Sequence, residues 1–452
     1  MHGSLTTPSG SVPHRTLRTR DAIAITVGIV LGAGIFRAPS LVAGGVDSGW
    51  ALITLWVAGA LIAMVGALCY AELSAAYPDA GGDYHFLQLA FGGRFAFIYA
   101  WARLAVIQTG SAVVIEFVLG DYMTALAPLG PGSPAIYAGL SVVLLTAINW
   151  WGVRQGTRTQ NWLTLIEATG LLVVIAAGLF FAPAATDAAA VAPSAERTSV
   201  GLAMVFVLLT FGGWNEAAYI SAELRGDRRR VGHVLAVSLA IIAALFLLAN
   251  LAYLRALGLG GMAASEAVGA DVARAAFGQA GATFIALAVA VAALTSVNAT
   301  LFTGARSAYA LGRDVPAIGW LGRWHEASGT PRPALVAQGV VALLLVGAGA
   351  FARDGFQLAV EYTAPVFWFF FLATGAALFV MRRRDPGRER PFRVPLYPVT
   401  PLLFCAANAY LLWSSVAYTG WGALVGVAVV AAGGLILLFL RPRPTAPVEV
   451  PS

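Results

Sequence analysis

Residues Gly28-Ile29-Val30-Leu31-Gly32-Ala33-Gly34-Ile35-Phe36-Arg37-Ala38-Pro39-Ser40 interrupt a long apolar segment with glycine and proline. Such a stretch loosens a helix and frees main-chain groups at its two new ends. The amides of Ala33, Gly34 and Ile35 are then free to bind an anion, and the carbonyls of Val30 and Leu31 to accept from a cation. A second stretch, Thr210-Phe211-Gly212-Gly213-Trp214-Asn215-Glu216, interrupts a later apolar segment and frees the carbonyls of Leu209, Thr210 and Phe211. The third chemistry-bearing residue is Glu167, a carboxyl inside the apolar run 160–182. Ionising it in hydrocarbon is costly, so it reads as a proton-titrating group, as half of an ion pair or cation site, or as a neutral hydrogen-bonded carboxyl.

These groups need elements that hold irregular backbone inside an apolar layer. Hydrophobic residues make up 59% of the 452 positions and charged residues 11%, against about a quarter in soluble domains, which marks a membrane protein. Twelve runs are long enough to span: 21–45, 49–76, 95–120, 134–152, 160–182, 200–222, 231–254, 276–306, 333–351, 356–381, 397–417 and 421–440. The first follows an arginine-bearing arm and is too long for a cleaved signal, so it reads as a mature helix. Main chain broken at membrane depth survives where it lines a cavity, and paired broken helices are the mark of a secondary transporter. The breaks open two five-span blocks that enter the membrane from opposite sides, as an inverted repeat requires.

All 28 basic residues are arginine. Arg197, Arg255, Arg274 and Arg353 fall on one side of the spans, Arg37 and Arg103 lie within them, and the remaining 22 fall on the other side. The positive-inside rule therefore puts both termini in the cytoplasm. The net charge of +6 reflects this asymmetry and not a nucleic-acid-binding face. Cys69 and Cys405 read as small apolar packers. His2, His14, His85, His233 and His325 show no ligand spacing, so no metal is expected. There is no phosphate-binding loop and no nucleophile elbow, which argues against an ATP-driven pump or a hydrolase, and no cofactor is expected.

Five motifs in order resemble the amino acid–polyamine–organocation superfamily, and within it bacterial relatives of the L-type amino acid transporters. They are Gly32-Ala33-Gly34-Ile35-Phe36; Gly66–Leu73 with Tyr77-Pro78 and Gly81-Gly82-Asp83-Tyr84; Phe211–Glu216; Asn298–Arg306 with Ala310–Asp314; and Pro391–Pro395 with Tyr397-Pro398. The resemblance covers almost the whole chain. It implies an all-α membrane protein with a core of ten helices, two inverted five-helix repeats with helices 1 and 6 broken, plus two peripheral helices. The layout is an arm 1–20, repeats 21–182 and 200–381, an external loop 183–199, a basic loop 382–396 lying against anionic lipid, two last spans in 397–440 and a tail 441–452.

The resemblance also implies that an amino acid carboxylate sits on the amides of Ala33, Gly34 and Ile35, and its ammonium on the carbonyls of Val30, Leu31, Leu209, Thr210 and Phe211. Phe211, Trp214, Asn215, Ser296 and Asn298 would form the side-chain pocket. Two positions depart from the pattern. Leu209 stands where relatives carry an aromatic gate, leaving Phe206 or Phe211 to occlude. Glu167 stands where relatives often carry a lysine, which makes it the coupling candidate. Arg37 reads as pairing with Glu116 or Glu361, Arg103 as a snorkelling or hydrogen-bonded residue, and Glu216 as a half-helix cap or pocket residue. Glu72, with Arg313 and Asp314, reads as gate or loop anchorage. No cysteine lies in 121–134, so no disulfide-linked heavy subunit is expected.

The expectation is a plasma-membrane permease for small neutral L-amino acids, working by alternating access as an exchanger or proton symporter. A carrier of cationic amino acids or polyamines is the alternative, and a channel or receptor is less favoured.

Overall fold

The computed structural model describes residues 19–79, 81–152, 157–185, 199–216, 229–352, 354–418 and 421–439. Within them every element is helical, apart from one isolated bridge between His325 and Thr330. The broken first span is α1 (Thr19–Leu31), a tight turn Ala33–Phe36 and α2 (Ala38–Gly44), with a bend of 51° between its two halves. Pro39 in the first turn of α2 suits a helix start, where its missing N–H costs nothing. Then come α3 (Gly49–Ala76), the short α4 (Asp83–Phe91), α5 (Gly93–Leu126) and α6 (Ser133–Trp150). α7 (Thr157–Ala176) runs on into a wide turn, Ala177–Phe181.

α8 (Val200–Thr210), capped by the Ser199 hydroxyl, is the first half of the sixth span and ends in the turn that carries Gly212 and Gly213. The rest of that span, 217–222, lies outside the described residues. α9 (Arg230–Ala264), α10 (Val268–Asp314), α11 (Arg332–Ala350), α12 (Gly355–Arg384), α13 (Val399–Tyr418) and α14 (Trp421–Phe439) complete the chain.

Eight of these helices are long and apolar enough to cross a membrane, and the bent pair makes a ninth span. Three shorter apolar helices, Leu165–Phe181, Val200–Thr210 and Gly422–Leu435, fall in the remaining expected runs. Two expected spans differ in extent. α9 continues ten residues past 254, and α10 starts eight residues before 276. Each extension is set off from its span by a glycine with φ of 68° and non-helical backbone, Gly258 and Gly278, where the helix is broken by a kink. The chain is a multi-pass, all-α membrane protein.

α2 packs against α8. α9 packs against α1, α2 and α3; α10 packs against α5 and α7; α12 packs against α5, α13 and α14. Exposed apolar side chains such as Leu140, Leu144, Leu344 and Leu424 give the outer surface a lipid-like polarity. At one end Glu72 on α3, only 2% exposed, accepts from Arg382 Nε (2.7 Å) and Nη2 (2.6 Å) and from the Val394 amide (2.7 Å). It thereby ties the segment after α12 to the bundle. This arginine-rich end also carries Arg384, whose Nη1 reaches the Ala90 carbonyl, and Arg388, whose Nε reaches that of Ala76. Cys69 and Cys405 are free thiols. The arm before residue 19, most of the loop 183–199 and the tail from 440 lie outside the described residues.

Candidate functional site

The two interrupted helices meet each other. Gly32 (φ 25°) and Gly213 (φ 99°) take backbone conformations that L side chains rarely adopt. A Cβ on Gly213 would stand 3.2 Å from the Ile29 carbonyl oxygen, so the close approach of the two breaks depends on glycine there. Gly32 precedes the Ala33–Phe36 turn and no side chain caps that turn. The first amides of such a turn have no acceptor within it.

Beside the breaks lies a cavity of about 970 Å³. Val30, Ala33, Gly34, Leu209, Thr210 and Asn215 line it there, and Asn298 lines it further along. Of its wall residues, Ala299, Phe302 and Thr303 on α10 are exposed, which opens the cavity toward the arginine-rich end. The opposite side is shut by aromatic packing. Phe36 lies edge-on to Tyr122 (6.2 Å), and Phe206 tilts against Phe356 (6.3 Å). The Tyr122 hydroxyl donates to the Phe36 carbonyl (2.9 Å) and accepts from the Gly269 amide (3.0 Å).

Five expected site residues do not line this cavity. Leu31 and Ile35 flank the break but turn into the core. Phe211 packs on Trp56 (6.0 Å) and Phe246 (5.1 Å), between α3 and α9. Trp214 packs on Tyr70 (5.0 Å) and Phe371 (5.5 Å). The Gly212-Gly213 turn aims these two rings away from the cavity and brings Asn215 and Glu216 to it. Ser296 is two residues from Asn298, about 200° away around α10. Glu167 is buried on α7 and is also off the cavity wall, and its Oε1 has no hydrogen-bond partner among the described residues. Neither Phe206 nor Phe211 stands in the cavity; Phe206 belongs to the closed side.

Arg37 pairs, but not with Glu116 or Glu361. Its Nε lies 3.1 Å from Asp121 Oδ2 on α5 and its Nη2 2.6 Å from Asp354 Oδ2, the N-cap of α12. Its Nη1 donates to Ser40 Oγ and to the Ser265 carbonyl, both at 3.1 Å. Arg103 is hydrogen-bonded, one of the two readings expected for it. Its Nη2 donates to both carboxylate oxygens of Glu216 (3.0 and 3.2 Å), and its Nη1 to the Tyr99 hydroxyl (3.3 Å). Tyr99 in turn donates to Asp83 Oδ2 (3.2 Å), whose Oδ1 accepts from Thr374 (3.2 Å). Glu216 is thus an ion-pair partner on the cavity wall. The side chain of Asp314 lies outside the described residues.

A wide helical turn, Arg103–Gln108, interrupts α5 beside the cavity. It brings Arg103, Ile107, Gln108 and Ser111 to the wall. Such turns carry no clear sequence mark, and the Arg103–Glu216 pair spans 113 residues, so neither was legible beforehand. Among the described residues the charged wall groups are Asp83, Glu216, Arg103 and Arg306, which balance to zero.

A bundle of apolar helices with two broken helices meeting at a one-sided cavity defines a membrane carrier. The chain belongs to the amino acid permease family, whose profile matches residues 17–440. It is 29% identical over 433 residues to the mouse b(0,+)-type amino acid transporter 1, covering 93% of this chain and 86% of that protein. The human protein of that name is 28% identical over the same length and shares. The mouse large neutral amino acids transporter small subunit 2 is 29% identical over 428 residues, 91% of this chain and 78% of that one. These relatives are transporters, and the chain is a permease and not an enzyme.

Proposed function

We propose that the chain is a secondary active carrier of small neutral L-amino acids in the plasma membrane, with both termini cytoplasmic, working by alternating access between the two membrane faces. The observation that carries this reading is that both helix breaks, through Val30, Ala33 and Gly34 on the first and Leu209 and Thr210 on the second, line one cavity. A zwitterion needs both the amides and the carbonyls that a helix break frees, and a main-chain site of this sort serves any α-amino acid. The balanced wall charges favour a neutral substrate. The cavity opens toward the arginine-rich end, and in this reading that end is cytoplasmic. The two five-span blocks act as inverted repeats, and no disulfide-linked subunit is needed.

Glu167 is the proposed coupling group, since a buried carboxyl with an unpartnered oxygen can take up and release a proton. The alternative, a carrier of cationic amino acids, draws on Glu216 and Asp83 at the wall; their arginine and tyrosine partners weigh against it. The test is uptake of a radiolabelled amino acid panel into proteoliposomes, with and without an inward proton gradient or internal amino acid. Neutral amino acids accumulate, and Glu167→Gln loses only the proton-driven part. If only cationic amino acids or polyamines move, the substrate reading fails. A mutant that keeps full proton-driven uptake removes Glu167 from the mechanism.

A further inference from the structure

We propose that Asn149 and Asn298 form a hydrogen-bonding subsite for the side chain of the transported amino acid, so that the carrier prefers neutral amino acids bearing a side-chain amide or hydroxyl. The inference rests on the reading of the cavity as an amino acid path and adds its substrate class.

Asn149 stands in the last turn of α6 and Asn298 on α10, and both line the cavity although they are only 4% and 7% exposed. Asn149 Nδ2 donates to the Leu145 carbonyl at 2.9 Å and to Asn298 Oδ1 at 2.6 Å. These two bonds fix the orientation of both amides. The Leu145 carbonyl can only accept, so Asn149 must turn its Nδ2 that way. Asn298 must then offer its oxygen to Asn149, and its own Nδ2 points elsewhere. That Nδ2 makes no hydrogen bond to any described residue. Asn149 Oδ1 is likewise unused.

A tie between two helices accounts for the bond at 2.6 Å, but not for a two-hydrogen donor left beside an acceptor on a cavity wall. Neither atom is among the fully buried unpartnered ones, so both are open to a partner that enters the cavity. Ser111 adds a hydroxyl to the cavity wall. Gln108 does not compete, because its Nε2 is held by the Thr300 carbonyl (3.3 Å) and Thr303 Oγ1 (3.0 Å). Phe367, Phe370 and Phe371 supply the cavity's apolar wall for the methylenes of a side chain. An amide side chain offers a carbonyl oxygen to Asn298 Nδ2 and an N–H to Asn149 Oδ1. A hydroxyl offers both functions from one atom. A branched aliphatic side chain offers neither and strands both groups, the situation in which sites discriminate most strongly.

The experiment measures initial-rate kcat/KM for radiolabelled glutamine, serine and leucine in proteoliposomes of the wild type, Asn298→Leu and Asn298→Ser. The wild type is expected to favour glutamine over leucine by about tenfold or more, and both variants to lose about tenfold of that ratio. A wild type that moves leucine as well as glutamine overturns the proposal, whatever the variants do. So does an unchanged ratio in a variant that still transports. If the wild type moves no amino acid at all, the carrier reading itself falls first.

Discussion

Gly34 and Thr210 meet where the two interrupted helices cross: a Cβ built on Gly34 would stand 3.4 Å from Thr210 Cγ2 and 3.5 Å from its Oγ1. Thr210 is held in place by its own bond to the Phe206 carbonyl, 2.8 Å away. The contact joins the first turn of the proposed carboxylate site to the end of α8, so the two breaks behave as one structural unit.

A methyl group at Gly34 fits at ordinary contact distance, whereas one at Gly213 needs a left-handed backbone and meets the Ile29 carbonyl. Gly34→Ala is expected to fold and to raise KM about tenfold, the worth of one hydrogen bond to a charged group. Gly213→Ala is expected to lose about 1–2 kcal/mol of stability from backbone strain. Melting temperatures in detergent, set beside transport kinetics, separate the two. Equal behaviour of the two variants would refute the distinction.

Arg37 satisfies two carboxylates at once on the closed side of the cavity. Arg37→Ala leaves Asp121 and Asp354 without that partner at a nearly buried site. It is expected to cost about 3–5 kcal/mol, seen as a lower melting temperature. Adding Asp354→Asn to Arg37→Ala should recover part of the loss. A double variant less stable than the single would show that the pair is not the source of the cost.

Of the residues expected to act through their main chain, Val30, Ala33, Gly34, Leu209 and Thr210 line the cavity, and Leu31, Ile35 and Phe211 do not. Gly34 and Thr210 line the cavity because helix breaks are written in local glycine content, and a break has only one place to be. Side chains next to a break are different, since a single turn of helix decides which way they face. Phe211 and Trp214 are conspicuous in sequence, yet the turn at Gly212-Gly213 points them into the aromatic packing around Trp56 and Tyr70. Asn215, one residue on, reaches the cavity. The partners of Arg37 illustrate the same limit. Its charge at membrane depth demanded an acid, but the bend in the first span brought Asp121 and Asp354 to it.

Glu72 is the hinge-pin of the arginine-rich end, accepting from Arg382 and from the Val394 amide while 2% exposed. Glu72→Gln keeps the shape but places an amide N–H where one of these donors points. The expected result is a loss of about 3–5 kcal/mol in stability with KM little changed, because Glu72 is not on the cavity wall. A raised KM at unchanged melting temperature would contradict this.

His85 on α4 lies outside the spans, and burial, aided by Arg388, holds its pKa below the ordinary 6.5 against the opposing pull of Asp79. Below that ordinary value the unfolded chain therefore binds protons that the folded chain refuses. The stabilising difference is complete above 6.5 and is lost as pH falls through the folded pKa. Melting temperature should drop between about pH 7.5 and 5.5, and His85→Gln should flatten that drop. An identical pH profile in the variant would remove His85 as its cause.

Arg103 offers the most direct control over substrate charge. It faces Glu216 across the cavity wall at 3.0 Å, and with Arg306 it balances Glu216 and Asp83. Arg103→Gln leaves that wall with one net negative charge and frees Glu216 to face a substrate. A cation entering the cavity then meets an unpaired carboxylate, worth about 1.5–3 kcal/mol as a charged hydrogen bond. Competition of lysine against a neutral amino acid should therefore strengthen about tenfold or more in the variant. Arg103→Lys keeps the sign but not the fork that grips both Glu216 oxygens and Tyr99, so it should fall between the two. If lysine competes no better in Arg103→Gln than in the wild type, wall charge does not set the substrate class, and selection must rest on the polar and aromatic side chains alone.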